Sequence, residues 1–168
     1  TGFVAIAAGG YHSLGVMARG RGTAAHFGLT DQVDLIMGTF SKSFASLGGF
    51  IAGDEDPIHY IQHHARALIF SASMPASNVA AVLAALDIME REPERVDRLW
   101  AVTERMRAGL KSLGFHMGPS VTPIIPLVTG TVERTMEAWK RCYEAGLYVN
   151  AVIAPAVPPD QCLLRTSY

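Results

Sequence analysis

Short apolar runs alternate with helix-like stretches along the first two thirds of the chain, and this alternation limits the folds open to it. Apolar runs at 3–7, 33–40 and 48–54 each contain or adjoin glycine. Runs of this length without polar alternation predict strands that are buried on both faces. Helical periodicity marks the stretches between and after them, at 22–29, 56–70, 77–92 and 93–114. Strands that alternate with helices predict an α/β fold.

The last third of the chain has a different pattern. Strand-like runs at 121–130, 147–153 and 162–167 surround one amphipathic helix at 131–146, and the segment 154–161 is a Pro-rich loop. Three strands with a single helix predict a smaller α+β domain.

The two patterns suggest domain boundaries. We predict a larger domain over 1–92, a connecting helix over 93–114 and an incomplete small domain over 115–168. Thr23 and Ser77 precede apolar-periodic stretches and are the candidate N-caps of their helices. Because the sequence opens inside a predicted strand, we expect the chain to be a fragment of a larger subunit, with little activity by itself.

Composition excludes several classes of protein. The 168 residues are 49% hydrophobic, yet no apolar run approaches the roughly 18 residues of a membrane span. The net charge of -1 argues against a nucleic-acid partner. Cys142 and Cys162 form no disulfide framework or metal motif, so we expect a reducing, cytoplasmic setting. His59, His63 and His64 lack a further ligand and predict a solvated helix face.

One lysine has an unusual position. The chain has three lysines, and Lys111 and Lys140 lie in helix-like stretches beside Glu and Arg, where a solvated ammonium is ordinary. Lys42 instead lies in MGTFSKSFASLGGF (37–50), among Ser, Gly and Phe directly after a predicted strand. This placement indicates a chemical role.

The residues around Lys42 suggest which chemistry. A partly desolvated lysine amine is nucleophilic toward carbonyls, and we expect a loop of small residues after a buried strand to provide such a site. The hydroxyls of Thr39, Ser41 and Ser43 are suited to bind a phosphate. Together they suggest a phosphorylated aldehyde held as a Schiff base, the chemistry of pyridoxal phosphate. A solvated surface lysine is one alternative, and a GxxxxGK[ST] phosphate loop fails because Ser41 stands where its second Gly is needed.

The motif GTFSKSFASLGGF, with FSASMP (70–75) and LLRTSY (163–168), resembles the lysine signature of the α-oxoamine synthases. These fold-type I enzymes depend on pyridoxal 5'-phosphate (PLP) and have an aspartate aminotransferase-like fold. They condense an amino acid with an acyl-CoA and release carbon dioxide. The resemblance implies the later part of the PLP-binding large domain followed by the small domain. The sequences of these three motifs are most similar to those of family members that use L-serine and a long-chain acyl-CoA to make a 3-keto sphingoid base.

The resemblance implies roles for three residues in catalysis and substrate binding. Lys42 would form the Schiff base with PLP and later move the α-proton. His12 would contact the ring hydroxyl of the cofactor and help to orient the substrate. Arg165 would hold the carboxylate of the amino acid, a task suited to its bidentate fork. Taken singly, His12 is also consistent with an ordinary loop residue, and Arg165 with a structural ion-pair partner.

Three hydroxyls complete the implied cofactor site. Thr39 and Ser41 match positions that bind the cofactor phosphate. Ser73 matches a position that reaches the phosphate of the neighbouring subunit's cofactor, so the resemblance implies a homodimer with shared active sites. A serine in this setting is also consistent with a helix cap. A lipid product leaves association with a membrane surface open.

The sequence departs from the family pattern at one important position. The family places an Asp three residues before the His, where it pairs with the pyridine nitrogen of PLP and keeps the ring an electron sink. This chain has Gly9 there and Gly10 next to it. Two further hypotheses therefore stay open: a catalytically inactive homologue, and an unrelated small α/β binding domain. Within the family, glycine or alanine with a shorter acyl-CoA is the alternative substrate pair.

Overall fold

The computed structural model describes residues 22–168, which fall into two compact units that meet in sequence between Arg95 and Val96. The predicted strand at 3–7, together with Gly9, Gly10 and His12, lies outside the described residues.

The first unit contains one antiparallel hairpin and a series of helices. Strands β1 (Leu35–Thr39) and β2 (Gly49–Gly53) pair with Leu35 opposite Gly53 and Thr39 opposite Gly49. The strands predicted at 33–40 and 48–54 are therefore confirmed. Before the hairpin, the chain forms α1 (Thr23–His26) and a 3-10 turn (Thr30–Gln32). After it come α2 (Glu55–His64), α3 (Arg66–Ile69) and α4 (Ala76–Arg91).

The expected burial of these strands is wrong for the described residues. Every residue of β2 is exposed, and Met37 of β1 is 76% exposed. Within the described residues the two strands pair only with each other, and the side chains on the faces of this hairpin are covered by little other polypeptide. Apolar side chains in such a hairpin can be buried only by additional polypeptide.

The two predicted N-caps are also wrong. Helix α1 begins after Gly22 and α4 begins after Pro75, and neither helix has a side-chain cap hydrogen bond. Thr23 and Ser77 lie inside their helices. A residue that already has helical backbone angles cannot occupy the capping position, which requires an extended conformation.

The second unit contains an antiparallel sheet and helices, and its strands lie within the stretches 121–130, 147–153 and 162–167 that the sequence predicts. Its strands are β3 (Ile124–Gly130), β4 (Asn150–Val152) and β5 (Cys162–Ser167), in the spatial order β3-β5-β4. The helices are α5 (Glu94–Ser112), whose first residues belong to the first unit, and α6 (Val132–Glu144).

Helix α6 packs on one face of this sheet, and the core of the unit lies between them. Ile125 and Cys162 are fully buried, as is Thr135 of the helix. The Thr129 hydroxyl donates a hydrogen bond to Cys162 O over 2.9 Å and lies 2.6 Å from the Thr135 hydroxyl. The buried hydroxyls therefore have polar partners, as a stable core requires.

Helix α6 begins at a capped N-terminus. Thr131 accepts a hydrogen bond from the backbone N–H of Arg134 through its side chain. The backbone N–H of Glu133 itself and then the Thr131 hydroxyl lower the pKa of the Glu133 carboxyl. A carboxylate in the first turn also interacts favourably with the helix dipole, so the local sequence determines where α6 starts.

Arg107 ties α5 to the loop before β3, which leads to a prediction. Its Nη1 donates to Ser120 O over 2.6 Å and its Nη2 donates to Thr122 O over 2.9 Å. We expect Arg107→Ala to lower the free energy of unfolding by about 2 kcal/mol, because both carbonyls lose a charged donor. Urea unfolding of the full-length protein measures this. Arg105→Ala, on the exposed side of the same helix, is the control and should change stability by less than about 0.5 kcal/mol. Equal losses in the two variants would contradict the prediction.

Candidate active site

Lys42 lies in the loop that joins β1 and β2, and residues 40–48 are called the Lys42 loop. The backbone closes it with three hydrogen bonds of 2.9 Å each: Phe40 N to Gly48 O, Ser46 N to Phe40 O, and Ala45 N to Lys42 O. An antiparallel hairpin therefore presents the lysine at its tip.

Two residues of the Lys42 loop have left-handed backbone conformations. Gly48 has φ +90°, and a Cβ at this position would lie 2.8 Å from Met74 Cγ and collide with Met74 Sδ. Ala45 has φ 48°, which is uncommon for a residue with a side chain. The first position therefore requires glycine, and the second stores backbone strain.

Two hydroxyls converge beside Lys42. Thr39 Oγ1 lies 3.0 Å from Ser41 Oγ, donates to Gly48 O over 3.3 Å and accepts a hydrogen bond from Ser41 N over 3.3 Å. Hydroxyls can rotate to donate toward an added acceptor. Thr39 and Ser41 therefore form a small cluster of hydroxyl groups next to the lysine in sequence.

Lys42 itself is exposed, so the expected partial desolvation of its amine is wrong for the described residues. The reason is the same as for β2: the loop extends from a hairpin that the described residues leave uncovered. Nearby, Phe40 contacts Phe44 edge-to-face at 5.4 Å and stacks on Phe50 at 5.7 Å between ring centroids. These aromatic contacts stabilise the base of the loop.

A second segment of the first unit packs on the Lys42 loop. Met74 lies over Gly48, and Ser46 hydrogen-bonds Asn78 of α4. Ser73 precedes Met74 and is exposed in the loop before α4. Since α4 has no side-chain cap, Ser73 does not serve as one. The structure therefore places the Ser73 segment beside the Lys42 loop.

An open groove of about 580 Å³ adjoins the hairpin. Its lining is mainly apolar and includes Thr39, Phe50, Ile58 and Leu68. The groove thus extends from the hydroxyl cluster over apolar surface of α2 and α3.

Arg165 belongs to the second unit. It lies in the central strand β5, opposite Pro126 on one side and Asn150 on the other. Its neighbour Leu164 is buried whereas Arg165 is exposed, so the two point to opposite faces of the sheet. Within residues 22–168 the Arg165 side chain has no ion pair, so a structural ion-pair role finds no support there.

His59, His63 and His64 lie exposed on helix α2, and the two cysteines are free thiols. His63 Nδ1 lies 2.8 Å from His59 O, and His64 Nδ1 lies 3.0 Å from Tyr60 O. In the part of the chain that the structure describes, no group of three or more ligating side chains could hold a metal ion. Cys142 and Cys162 are free. Within residues 22–168, no helix combines the length and the apolar character that are needed to span a membrane.

Sequence reasoning missed Ser46, Asn78 and the conformation of Ala45. Ser46 and Asn78 are 32 residues apart, and each is of a residue type that is common in loops and helix starts. A local pattern carries no signal for such a pair. The position of Ala45 in a Ser/Gly-rich loop was the only available hint of an unusual backbone.

Known proteins resemble this chain in sequence and in fold. The aminotransferase class I and II family matches residues 8–168. Serine palmitoyltransferase of Sphingobacterium spiritivorum is 51% identical over 157 residues, which are 93% of this chain and 39% of that protein. The putative 8-amino-7-oxononanoate synthase 2 of Mycobacterium tuberculosis is 44% identical over 94% of this chain and 20% of its own length. A solved structure of serine palmitoyltransferase with PLP superposes with a TM-score of 0.86 at 33% identity, covering 93% of this chain and 40% of that one.

The chain therefore spans about 40% of the serine palmitoyltransferases it matches. The α/β fold of the aminotransferase class, expected from the resemblance, is confirmed over this part.

PLP is the cofactor that accompanies this family, and the residues of the Lys42 loop suit it. An amine for the aldehyde and a pair of rotatable hydroxyls for the phosphate lie within four consecutive residues. The ring nitrogen and ring hydroxyl of PLP would depend on positions 9 and 12, which lie outside the described residues. From the sequence matches and the fold, we conclude that the chain belongs to the aminotransferase class I and II family and, within it, to the α-oxoamine synthases.

Proposed function

We propose that the protein to which this chain belongs condenses L-serine with a long-chain acyl-CoA and releases carbon dioxide, giving a 3-keto sphingoid base. The observation that carries the proposal is Lys42 at the tip of the β1–β2 hairpin beside the paired hydroxyls of Thr39 and Ser41. Similarity to serine palmitoyltransferase, with 51% identity to the Sphingobacterium spiritivorum protein, supports serine as the amino acid.

In this proposal Lys42 Nζ would hold the aldehyde of PLP until the amine of the amino acid displaces it, and the freed Nζ would then take the proton from Cα of the amino acid. PLP, when bound, supplies an electron sink for the negative charge that develops at Cα. Thr39 and Ser41 bind the phosphate through their hydroxyls, and Ser73 reaches the phosphate in the neighbouring subunit. The bond between Cα and the acyl carbon would form as the C–S bond of the thioester breaks and CoA leaves as the thiolate. The bond from Cα to the carboxylate would then break to release carbon dioxide, and a proton would return to Cα.

His12 and Arg165 orient the amino acid in this proposal. His12 contacts the ring hydroxyl of the cofactor, and Arg165 holds the substrate carboxylate through two parallel hydrogen bonds. The exposed face of the β5 strand leaves the Arg165 guanidinium free of ion pairs within residues 22–168, which is consistent with a role in ligand binding.

The first experiment tests the cofactor lysine. Purified full-length protein is incubated with PLP, reduced with borohydride, digested and mapped by mass spectrometry. We expect a pyridoxyl adduct on the peptide that contains Lys42. An adduct elsewhere, or none on a folded full-length protein, would overturn the proposal and favour a catalytically inactive homologue.

Substrate choice has a second candidate. Relatives named 8-amino-7-oxononanoate synthase favour an alternative pair, glycine or alanine with a shorter acyl-CoA. A panel of serine, glycine and alanine against acyl-CoA of increasing length separates the two. We expect the highest kcat/KM for serine with a long chain, and a clear preference for a short chain would support the alternative.

Position 9 distinguishes an active enzyme from an inactive homologue. We expect Gly9→Asp in the full-length protein to raise kcat by about tenfold or more, because a charged hydrogen bond is worth about 1.5–3 kcal/mol. A carboxylate there would pair with the pyridine nitrogen of PLP. Gly10→Asp serves as the control for added charge and should leave kcat unchanged. No rise in the first variant would favour an inactive homologue kept for subunit association.

The assembly and the setting are part of the proposal. A homodimer with shared active sites accounts for Ser73, and a lipid product makes association with a membrane surface worth testing. The free thiols of Cys142 and Cys162 are consistent with a cytoplasmic location.

A further inference from the structure

We propose that Ser46 and Asn78 are positioning residues that hold the Lys42 loop in the conformation from which Lys42 reacts. This inference rests on the proposed function, because it takes Lys42 as the cofactor lysine. Neither residue would touch the substrate or the cofactor. Both would act through the backbone of residues 40–48.

The pair forms a reciprocal hydrogen bond at a buried position. Ser46 is 8% exposed. Its Oγ donates to the backbone O of Asn78 over 3.2 Å and accepts a hydrogen bond from Asn78 Nδ2 over 3.0 Å. Donor and acceptor of the hydroxyl are thus both used, and removal of either partner leaves a polar group unpaired.

Asn78 is held in a regular helix. It lies in the first turn of α4, and its backbone N–H donates to Pro75 O over 3.0 Å. Within residues 22–168, the two hydrogen bonds of this pair are the only side-chain hydrogen bonds that join the Lys42 loop to an element outside the hairpin. The 16-residue helix α4 therefore serves as the frame against which the loop is fixed.

The Ser46 anchor lies next to the strained residue of the loop. Ala45, with φ 48°, donates its N–H to Lys42 O, and Ser46 donates its N–H to Phe40 O. A residue with a side chain persists in this conformation only where its surroundings hold it. Without the Asn78 bond, Ala45 is free to return to an ordinary conformation, and the Lys42 carbonyl that it binds moves with it.

The test uses full-length protein with PLP and compares Ser46→Ala, Asn78→Ala and the double variant. We expect kcat to fall by about 10- to 100-fold in each single variant, since small displacements of a reacting group have costs of this order. The KM for the amino acid should stay unchanged. Ser46→Ala removes both hydrogen bonds, whereas Asn78→Ala removes only the one from Nδ2 and keeps the backbone carbonyl. The double variant should therefore be no slower than Ser46→Ala, because it removes no further bond between the two residues. Ser46→Thr keeps the hydroxyl and should recover most of the activity.

Two readouts separate positioning from general stability. The pH midpoint of the visible absorption of bound PLP should shift in the two alanine variants, because Lys42 is displaced from the cofactor. Without PLP, amide hydrogen exchange of residues 40–48 should be faster in Ser46→Ala and Asn78→Ala than in the cofactor-free wild-type protein. Ser77→Ala, an exposed neighbour of Asn78, is the control and should change neither quantity.

The outcomes distinguish this inference from the proposed function. Wild-type protein without a borohydride-trapped adduct on Lys42 would overturn both. An adduct on Lys42, together with unchanged kcat and an unchanged pH midpoint in Ser46→Ala and Asn78→Ala, would overturn this inference alone. Lower stability with normal kcat would likewise reduce the pair to a structural contact.

Discussion

Lys42→Ala in the full-length protein is expected to lower kcat by at least about 10³-fold. The amine is assigned two tasks, binding the cofactor aldehyde and moving the Cα proton, and positioned proton transfer alone contributes about 10²–10⁴-fold. The variant should also give no pyridoxyl adduct after borohydride reduction. Steady-state kinetics and peptide mapping measure the two effects independently.

Matched variants sharpen this test. Lys42→Arg keeps the positive charge but cannot be deprotonated, so it should be as inactive as Lys42→Ala. Lys111→Ala removes an exposed lysine from α5 and should leave kcat unchanged. If Lys42→Arg kept more than about a tenth of the wild-type rate, the lysine would act through its charge, and its assignment as nucleophile and base would be wrong.

Arg165→Ala is expected to lower kcat/KM for the amino acid by about 100-fold. A bidentate guanidinium–carboxylate pair supplies charged hydrogen bonds worth about 3 kcal/mol together, which corresponds to about 100-fold. The change should fall mainly on KM, because the same contact is made before and during the reaction. Arg165→Lys should recover only part of the loss, since an ammonium cannot form the planar fork.

A ligand without a carboxylate isolates the contact. Ethanolamine resembles serine but lacks that group, so its affinity as a competitive inhibitor should be the same in wild type and Arg165→Ala. Arg141→Ala, which breaks the exposed 2.7 Å ion pair with Glu137 on α6, is the control for loss of positive charge. Equal weakening of serine and ethanolamine in Arg165→Ala would show that the variant damages the sheet and does not remove a carboxylate contact.

Much of the fold was predictable because its signals are local. The strand at 162–167 has the bounds of β5, and the helix predicted at 131–146 contains α6, with Thr131 as its cap. Residue types and spacing within one turn or one strand encode such elements. The predicted caps Thr23 and Ser77 failed because α1 and α4 begin one residue or more earlier than the hydroxyl side chains suggest.

The candidate site divides in the same way. Thr39, Ser41 and Lys42 could be proposed from sequence because they are nearly contiguous, and the motif around them resembles one family closely. Exposure of Lys42 was not predictable, since burial depends on which other segments cover a hairpin. The left-handed conformation of Ala45 was also hidden, because alanine by itself favours ordinary backbone angles.

By itself, the sequence determined the α/β class, the family and the cofactor, because short motifs and periodic patterns carry that information. Tertiary structure alone decided that β1 and β2 form an antiparallel hairpin around Lys42, that Arg165 lies in the central strand of its sheet, and that Ser46 bonds Asn78. The physical reason is that these arrangements join residues far apart in the chain. Their free energy comes from packing and hydrogen bonds that form only when the segments meet, so no local pattern records them.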